Sequence, residues 1–356
     1  MNELEQQLQY PHGETLPAPG ASLEVAPGVR WLRMGLPFAL DHINLWLLRD
    51  RLDGRDGWTV VDCGITNPDT KANWEQVFAH ELGGLPVLRL IVTHMHPDHI
   101  GLAHWLATRW STPEHPVRLW ISATDYTSAK LASQSTTGHG GLAAAEFMAS
   151  HGLTDADAVE KIRGRSNYYS SMVPEVPASY RRLFDGSTVP VGGHDWHCMA
   201  GFGHAPEHLS LHCPDLGVLI SGDMLLPRIS TNISVTDMEP EADALSLYLR
   251  SIDRYRDLPA DTLVLPSHGR PFRGMHTRVD QLHAHHDERL ADVMAACARE
   301  PQTATSLLPV LFKRKLDLHQ TTFAMGESIA HLNALWLSGR LRRTRGDDGV
   351  FRFTPA

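Results

Sequence analysis

The segment "THMHPDHIG" places three histidines and one aspartate within six positions, directly after a run of apolar, largely β-branched residues. In an extended segment, residues two apart point to the same side, so His94 and His96 can approach one metal ion together. A proline ends the strand, and Asp98 and His99 begin the next helix, facing the same mouth from another direction. One zinc ion would not use all four side chains and keep a position open for water, whereas two ions would if further ligands arrived.

Further candidate ligands follow strand-like segments later in the chain. His204 lies in "MAGFGHAPEH", Asp223 in "GVLISGDMLL" and His268 in "DTLVLPSHGRP". The ends of strands and the loops after them are where a rigid α/β scaffold supplies residues for a preorganised site. A carboxylate such as Asp223 can bridge two cations, and its charge offsets part of their mutual repulsion.

These segments resemble, in their order, the motifs of the metallo-beta-lactamase-fold hydrolases, the superfamily of glyoxalase II, the lactonases and the tRNA-processing nucleases. The matches are "THMHPDHIG" for T-H-x-H-x-D-H-x-G, "GHAPEH" for G-H-T-x-G-H, "SGDMLL" for S-G-D-x-L and "PSHGRP" for P-x-H-G. A fifth stretch, "VVDCG", matches the strand that carries a further aspartate, here Asp62. Chance agreement of five ordered motifs over about residues 25–275 is very small.

The resemblance implies a ligand set and a mechanism. It implies that one metal is bound by His94, His96 and His204. The other metal is bound by Asp98, His99 and His268, and Asp223 bridges the two. The implied cofactors are two divalent cations, zinc before iron or manganese, because such ligands accept all three. A hydroxide between them, available because metal binding lowers the pKa of water to about 7, attacks a carbonyl, with Asp98 and Asp223 as catalytic residues. Behind the ligands we expect Asp62, and His208 holding the His204 loop by a hydrogen bond.

The chain departs from the family pattern at three positions. Ala205 and Glu207 stand where threonine and glycine are usual, and Cys63 replaces a threonine next to Asp62. None of these differences removes a ligand, so the prediction of a metal site stands.

The elements around the motifs alternate between β and α, which predicts an α/β protein. The resemblance implies a four-layer αββα sandwich. We expect a flexible lead-in over residues 1–20, a catalytic domain over 21–275 with a helical insertion at 126–186, and a C-terminal domain over 276–356. The last part is typical of helices followed by a two-stranded wing turning at "GDDG". With "HAHHDERL" in the place of H-R-x-x-R-E, it resembles the winged-helix-like region of the beta-lactamase-like endoribonuclease and thioesterase branch.

Local signals predict caps and turns. Asp69 or Thr70 is expected to cap the helix in "NPDTKANWEQVFAHELGG", and Thr154 the helix in "TDADAVEKIRG". The pairs in "RLDGRDG" and the run "PDLG" are typical of hairpin turns.

Several residues outside the motifs have two interpretations. For the tyrosines near the insertion we expect packing or surface roles, although one of them could contact a substrate oxygen: Tyr126, Tyr168 and Tyr169. For four histidines we expect solvent-exposed helix positions: His104, His283, His285 and His286. Cys213 lies mid-strand, away from the motifs. The basic runs "FKRK" and "RLRRTRG" favour a solvated face over RNA binding.

Composition limits the function classes. The formal charge of -9 disfavours a nucleic-acid or anionic-membrane binder, and no apolar run approaches the roughly 18 residues of a membrane span. The first residues, "MNELEQQLQYPHG", lack a secretory signal, and the four scattered cysteines indicate reduced thiols, so we expect a cytoplasmic protein. A homodimer is compatible with the sequence.

The sequence therefore predicts a dinuclear metal-dependent hydrolase of a small acyl substrate: an acyl-CoA, an acyl-glutathione or a lactone. A metal-dependent endoribonuclease is the alternative, and a non-catalytic metal-bearing scaffold is a minor one. A true β-lactamase is disfavoured because those enzymes generally lack the bridging aspartate. A flavin-linked di-iron oxidoreductase is disfavoured because its motif is H-x-E-x-D.

Overall fold

The computed structural model describes residues 3–136 and 140–356, so residues 1–2 of the predicted lead-in and 137–139 of the predicted insertion lie outside the described residues. The strands are β1 Ser22–Ala26, β2 Val29–Gly35, β3 His42–Leu52, β4 Arg55–Val61, β5 Val87–Ile91, β6 Arg118–Ser122, β7 Tyr180–Leu183, β8 Thr188–Val191, β9 His194–Gly201, β10 His208–Cys213, β11 Val218–Gly222, β12 Leu263–Pro266, β13 Leu341–Arg345 and β14 Phe351–Pro355. The helices are α1 Pro68–His80, α2 Pro97–Ile100, α3 Ala103–Trp110, α4 Ala123–Gln134, α5 Gly141–Ser150, α6 Ala156–Arg163, α7 Ala244–Asp253, α8 Met275–Arg299, α9 Leu308–Leu311 and α10 Leu318–Leu337, with 3-10 turns at Glu5–Gln7 and Arg254–Asp257.

Two sheets form the centre of the fold. The larger has the order β1-β2-β3-β4-β5-β6-β7, antiparallel up to β4 and parallel from β4 onward. The smaller has the order β12-β11-β10-β9-β8, in which β11 and β12 are parallel. Both predicted hairpins are confirmed: Asp53-Gly54 joins β3 to β4, and residues 214–217 join β10 to β11. The other candidate turn pair, Asp56-Gly57, lies within β4 instead.

Alternating side chains divide the molecule into four layers. Along β3, Leu45 and Leu47 pack with α1 and α3 on one face, while Trp46 and Leu48 pack against the smaller sheet on the other. Successive strand residues point to opposite faces, so a strand buried on both faces is apolar almost throughout. The other face of the smaller sheet is covered by α7, α8 and α10. The predicted αββα sandwich is confirmed.

The C-terminal module carries the elements that the sequence predicts. α8, α9 and α10 are followed by the antiparallel pair β13–β14, which turns at residues 346–349. The comparison with winged helices and the predicted domain limits stay predictions. Of the helices that the structure describes, none has the length and apolar character to cross a membrane.

Both predicted helix caps are wrong, the first by two or three residues and the second by one. The side chain of Asn67 accepts the backbone N–H of Thr70 at 2.7 Å, and a proline occupies the first turn. Asp155 accepts the N–H of Ala158 at 2.9 Å in the same way. In each case the capping side chain lies three residues ahead of an unsatisfied N–H and reaches it. The predicted Asp69 and Thr70 lie inside α1, whereas Thr154 lies one residue before the cap of α6.

Part of the predicted lead-in packs on the protein, since Leu8 is buried and the backbones of Gln9 and Arg273 exchange hydrogen bonds. Its flexibility stays a prediction. Two further predictions differ from the structure. The predicted insertion is helical in α4–α6, but its end forms β7, which extends the larger sheet. The motif helix is divided into α2 and α3, because the N–H of Leu102 turns to the carbonyl of Gly64 at 3.0 Å.

Candidate metal centre

The candidate ligands lie at one edge of the sandwich, where strands of both sheets end. β5 runs into the first motif, β9 and β11 run toward His204 and Asp223, and β12 leads to His268. Parallel strands point their carboxyl ends to the same side, so β4 and β5, and likewise β11 and β12, deliver their following loops together. The topology thus gathers residues that are far apart in sequence.

The first ligand set consists of three histidine nitrogens. The Nε2 atom of His94 lies 2.9 Å from Nδ1 of His96 and 3.2 Å from Nε2 of His204. All three atoms fall within one metal-sized group.

The second set combines a carboxylate with two histidines. The Oδ2 atom of Asp98 lies 3.7 Å from Nε2 of His99 and 3.4 Å from Nε2 of His268. The His99 side chain is fully buried, and that of Asp98 is 18 % exposed. This set therefore stands between the core and the solvent.

Asp223 divides its two oxygens between the sets. Its Oδ2 lies 3.3 Å from Nε2 of His204, whereas its Oδ1 lies 3.5 Å from His99 and 3.4 Å from His268. A carboxylate in this position can bind one cation with each oxygen. The structure thus brings together all seven residues that the sequence predicts.

The donor atoms fit two divalent cations. Nitrogen ligands roughly 2.0–2.1 Å from a tetrahedral zinc ion lie about 3.3 Å apart, close to the separations in both sets. Within the described residues, buried Nε2 of His99 and Oδ1 of Asp223 make no hydrogen bond. Buried polar atoms are normally satisfied, so these two atoms indicate a missing partner of positive charge.

Backbone carbonyls fix the histidine tautomers. Nδ1 of His268 donates to the carbonyl of His42, and Nδ1 of His204 donates to that of Asn232, each at 2.7 Å. A carbonyl only accepts, so the proton resides on Nδ1 and the Nε2 lone pair faces the centre. This arrangement is typical of histidines that bind metals.

Asp62 lies directly behind His99. Its Oδ2 is 2.8 Å from Nδ1 of His99, and its Oδ1 accepts the N–H of Thr93 at 2.8 Å. Its backbone adopts φ +60°, a left-handed conformation that aspartate tolerates better than most residues. Because these bonds hold both His99 and the start of the motif, they offset the strain.

His208 contacts a different loop from the one predicted. Its Nε2 accepts the backbone N–H of Asp223 at 3.1 Å, so it positions the bridging carboxylate rather than the His204 loop. Gly222 makes this approach possible: it has φ +55°, and a Cβ there would lie 2.1 Å from the His208 ring. The sequence could not show that His208 contacts Asp223, because this contact depends on the pairing of β10 with β11.

Asp125 is a positioning residue that the sequence did not reveal. Its carboxylate accepts the N–H of Met95 at 2.8 Å and the N–H of Glu207 at 2.7 Å. Met95 separates His94 from His96, and Glu207 follows the His204 loop, so one buried carboxylate aligns both segments of the first set. Burial raises the pKa of Asp125 to about 6, although these N–H groups favour the ionised form. The available signal in the sequence was the position of Asp125 just after the strand "RLWIS", where residues of a site are often found.

His42 and Asn44 were also missed. Nε2 of His42 accepts the N–H of Gly269 at 2.8 Å, and burial lowers the pKa of His42 to about 4, so its ring is neutral. The Asn44 amide donates to the carbonyls of Pro266 and Gly269 at 2.8 and 2.9 Å. The first residues of β3 therefore clamp the loop that presents His268.

The charge around the second set favours a cation. Although burial acts in the opposite direction, the carboxylates of Asp62, Asp98 and Asp223 raise the pKa of His99 well above its ordinary value. His94 behaves differently, since burial and the neighbouring histidines lower its pKa well below the usual range. A divalent ion would occupy the place of the proton that the carboxylates attract.

The departures from the family pattern leave the ligands in place. Glu207 has an ordinary negative φ, and its carboxylate accepts the hydroxyl of Thr124 at 2.9 Å, so glycine is not required there. Ala205 is buried, and Cys63 is a buried free thiol whose N–H donates to the carbonyl of His99 at 2.7 Å.

Two of the three tyrosines have packing roles, as expected. The hydroxyls of Tyr126 and Tyr169 donate to the carbonyls of Pro177 and Met95. The ring of Tyr168 lies 5.7 Å from that of His319, and the charge of Asp98 is among those that act on its hydroxyl. Burial raises the pKa of Tyr168 to about 12, so its hydroxyl keeps its proton.

The predicted solvent exposure of the three α8 histidines is wrong for His286, which is buried, while His283 and His285 are only partly exposed. His286 is fully buried against α10, with Nδ1 3.3 Å from Nε2 of His331. His283 is half-buried and lies 2.8 Å from Asp253. His104, by contrast, is solvent-exposed as predicted and pairs with Glu175.

Comparison with known proteins agrees with this geometry. The family model described as "Metallo-beta-lactamase superfamily" matches residues 39–268, and the one described as "Metallo-beta-lactamase-like, C-terminal domain" matches residues 290–356. The probable metallo-hydrolase YqjP of Bacillus subtilis (strain 168) is 25 % identical over 314 residues, which span 85 % of this chain and 91 % of that protein.

Two solved structures extend the similarity over nearly the whole chain. A beta-lactamase domain protein from Burkholderia ambifaria is 56 % identical, with a TM-score of 0.94 over 100 % of both chains. A metallo-beta-lactamase family protein from Thermus thermophilus is 26 % identical, with a TM-score of 0.74 over 94 % of this chain and 100 % of that one.

Proposed function

The chain belongs to the metallo-beta-lactamase superfamily, and on that premise we propose that it is a dinuclear metal-dependent hydrolase of thioesters or esters, of the acyl-CoA, acyl-glutathione or lactone class. The observation that carries this proposal is the division of Asp223, with one carboxylate oxygen at each ligand set. Such an arrangement supports two cations at a short separation.

Two bound cations would make a nucleophile available from water near neutral pH and would polarise the carbonyl of a substrate. The chain's own groups supply orientation and proton transfer. Asp98 has a more exposed side chain than Asp223, 18 % against 10 %, and is therefore the carboxylate placed to accept a proton from the attacking water. The carbonyls of His42 and Asn232 keep His268 and His204 in the tautomer that faces the centre.

An acyl substrate suits the surroundings of the centre better than a polyanion. The cavity beside His96 and His204 is mainly apolar, and the charged side chain among its described lining residues is the acidic Glu239. A phosphodiester backbone would gain little there, because recognition of phosphate relies on basic groups.

A metal-dependent endoribonuclease is the second candidate. The exposed basic run Lys313–Arg314–Lys315 precedes α10, whose first turn carries His319 beside Tyr168. This arrangement could hold phosphates near the mouth. Affinity for single-stranded RNA that falls steeply with salt would favour this candidate.

The test combines elemental analysis with a panel of acyl-thioesters, esters and lactones, each measured with and without chelator. About two metals per chain and chelator-sensitive hydrolysis would support the proposal. Two metals with salt-sensitive RNA cleavage and no acyl hydrolysis would favour the ribonuclease, and two metals without any turnover would favour the scaffold. A His96→Ala variant that kept both metals and full turnover would contradict the ligand assignment.

A further inference from the structure

A deep cavity opens beside the first ligand set. Its volume is about 570 Å³, and His96 and His204 form part of its wall. The exposed Phe202 and Met238 also line it, whereas Ala144, Met148 and Ile162 in its lining are buried. The cavity therefore leads from the metal centre and the surface into the space between the insertion helices and α10.

Small side chains keep this space open. Thr124, Ser128 and Ala132 follow one another at intervals of four on α4, so they lie on one face of that helix, and all three line the cavity. Longer side chains at these positions of α4 would fill a region that protein cores normally do not leave empty. Gly326 of α10 also lines the cavity, but a Cβ there would lie 2.9 Å from Ser234, so this glycine permits the close approach of α10 to the segment of Ser234.

Several polar groups of the wall already have partners within the protein. The hydroxyl of Ser234 donates to the Asn232 side chain at 2.7 Å, and the amide of Asn232 donates to Glu327. Thr124 donates to Glu207 at 2.9 Å. Since Glu239 is exposed at the rim, the buried part of the described lining contains no carboxylate, lysine or arginine that would face a ligand.

We propose that this cavity binds the linear, apolar acyl chain of the substrate, with its carbonyl at the end formed by His96 and His204. The inference rests on the proposed acyl hydrolysis and adds the substrate class: medium- to long-chain acyl groups rather than acetyl or other short acids. Ala144 and Met148 limit the chain length from the buried side. Apolar pockets of this size with few polar groups are typical sites for such ligands.

Chain length is the first test. We expect kcat/KM for a series of acyl-CoA substrates, from acetyl through butyryl, hexanoyl, octanoyl and decanoyl to palmitoyl, to rise about fourfold per methylene until the cavity is full. The same series of acyl-glutathiones and of alkyl esters identifies which head group the chain carries in a good substrate. A profile that is flat, or that falls from acetyl onward with every head group, would overturn the proposal.

A binding measurement separates this inference from the proposed function. Lauryl alcohol has no carbonyl to hydrolyse, so its binding to the purified, metal-containing protein depends on the cavity alone. Calorimetry should show saturable binding with a negative heat-capacity change, the signature of apolar burial. Binding without hydrolysis of any ester would refute the proposed function and keep the cavity assignment. Absence of binding would overturn that assignment even if short esters were hydrolysed.

Matched variants locate the chain. Ala144→Leu fills the buried end, and we expect at least a tenfold loss of kcat/KM for decanoyl substrates with acetyl and butyryl substrates within about twofold of wild type. Ala143→Leu is the control, because the neighbouring Ala143 is exposed on α5. Met148→Ala should move the optimum to longer chains and guards against a folding defect in the first variant. Identical profiles for Ala144→Leu, Met148→Ala and wild type would overturn the proposal.

Discussion

Substituting Asp125 by asparagine tests whether one buried carboxylate aligns the first ligand set. The wild-type side chain accepts two backbone N–H groups, from Met95 and Glu207. Asparagine has nearly the same shape but a single acceptor oxygen, so one of the two N–H groups would face an amide that can only donate. The two ligand-bearing segments would then no longer be held in one register.

The magnitude follows from the lost bond. A hydrogen bond to a charged group contributes about 1.5–3 kcal/mol, which corresponds to about 10–100-fold in an equilibrium constant. We therefore expect the affinity of the set formed by His94, His96 and His204 to fall by about 10–100-fold, a range also found for partners of metal ligands. The set formed by Asp98, His99 and His268 does not contact Asp125 and should keep its affinity.

The assay is a competitive metal titration that resolves two binding events, paired with kcat/KM on the best substrate. Glu207→Ala is the matched control, because it removes the hydrogen bond from Thr124 but keeps the backbone N–H that Asp125 accepts. Wild-type affinity for both metals in Asp125→Asn would refute the positioning role. An equal loss in Glu207→Ala would assign the effect to the loop surface instead.

Three other predictions concern the same centre. The His96→Ala variant should bind one metal fewer and lose hydrolysis. Circular dichroism and thermal unfolding of the chelated variant should match those of chelated wild type, because the core does not depend on the ions as that of a zinc finger does. Loss of the fold would contradict this expectation. Removing the metals should lower the melting temperature, since a ligand at about 1,000 times its Kd stabilises the folded state by roughly 4 kcal/mol; an unchanged melting temperature would indicate that no ion binds the folded state tightly. Burial raises the pKa of Asp125 from 3.8 to about 6, so between those pH values the folded chain binds a proton that the unfolded chain does not. The free energy of unfolding of wild type, relative to that of Asp125→Asn, should therefore rise by up to about 3 kcal/mol as the pH falls through this window. Urea unfolding of both proteins measures this difference. A difference that stays constant with pH would contradict the raised pKa of Asp125.

The sequence predicted which residues gather at the candidate centre because the necessary information is local. His94, His96, Asp98 and His99 lie in one short motif, and their spacing already determines which atoms can meet. The apolar strands and the turn pairs of both hairpins are local signals too. The layered fold follows from their alternation.

What the sequence could not predict depends on contacts between distant segments. Asp125 acts on Met95 and Glu207, and His42 acts on His268, so only the docking of two sheets reveals either role. The pattern around His286 is polar and predicts exposure, yet α10 covers it from 45 positions away in sequence. Residues 180–183 carry two exposed arginines, which conceals a strand whose place is set by its neighbour β6.

The distribution of the ligands over both sheets has a consequence for how the molecule assembles and how long it persists. His94 to His99 follow a strand of the larger sheet, whereas His204, Asp223 and His268 follow strands of the smaller one. Neither sheet alone contains a complete centre, so tight loading must come after the two sheets have docked. Once loaded, the ions would cross-link the sheets at their common edge, and the sheets could not separate without breaking several coordination bonds. Metal supply would then set the unfolding rate of the protein, and with it its survival against proteases.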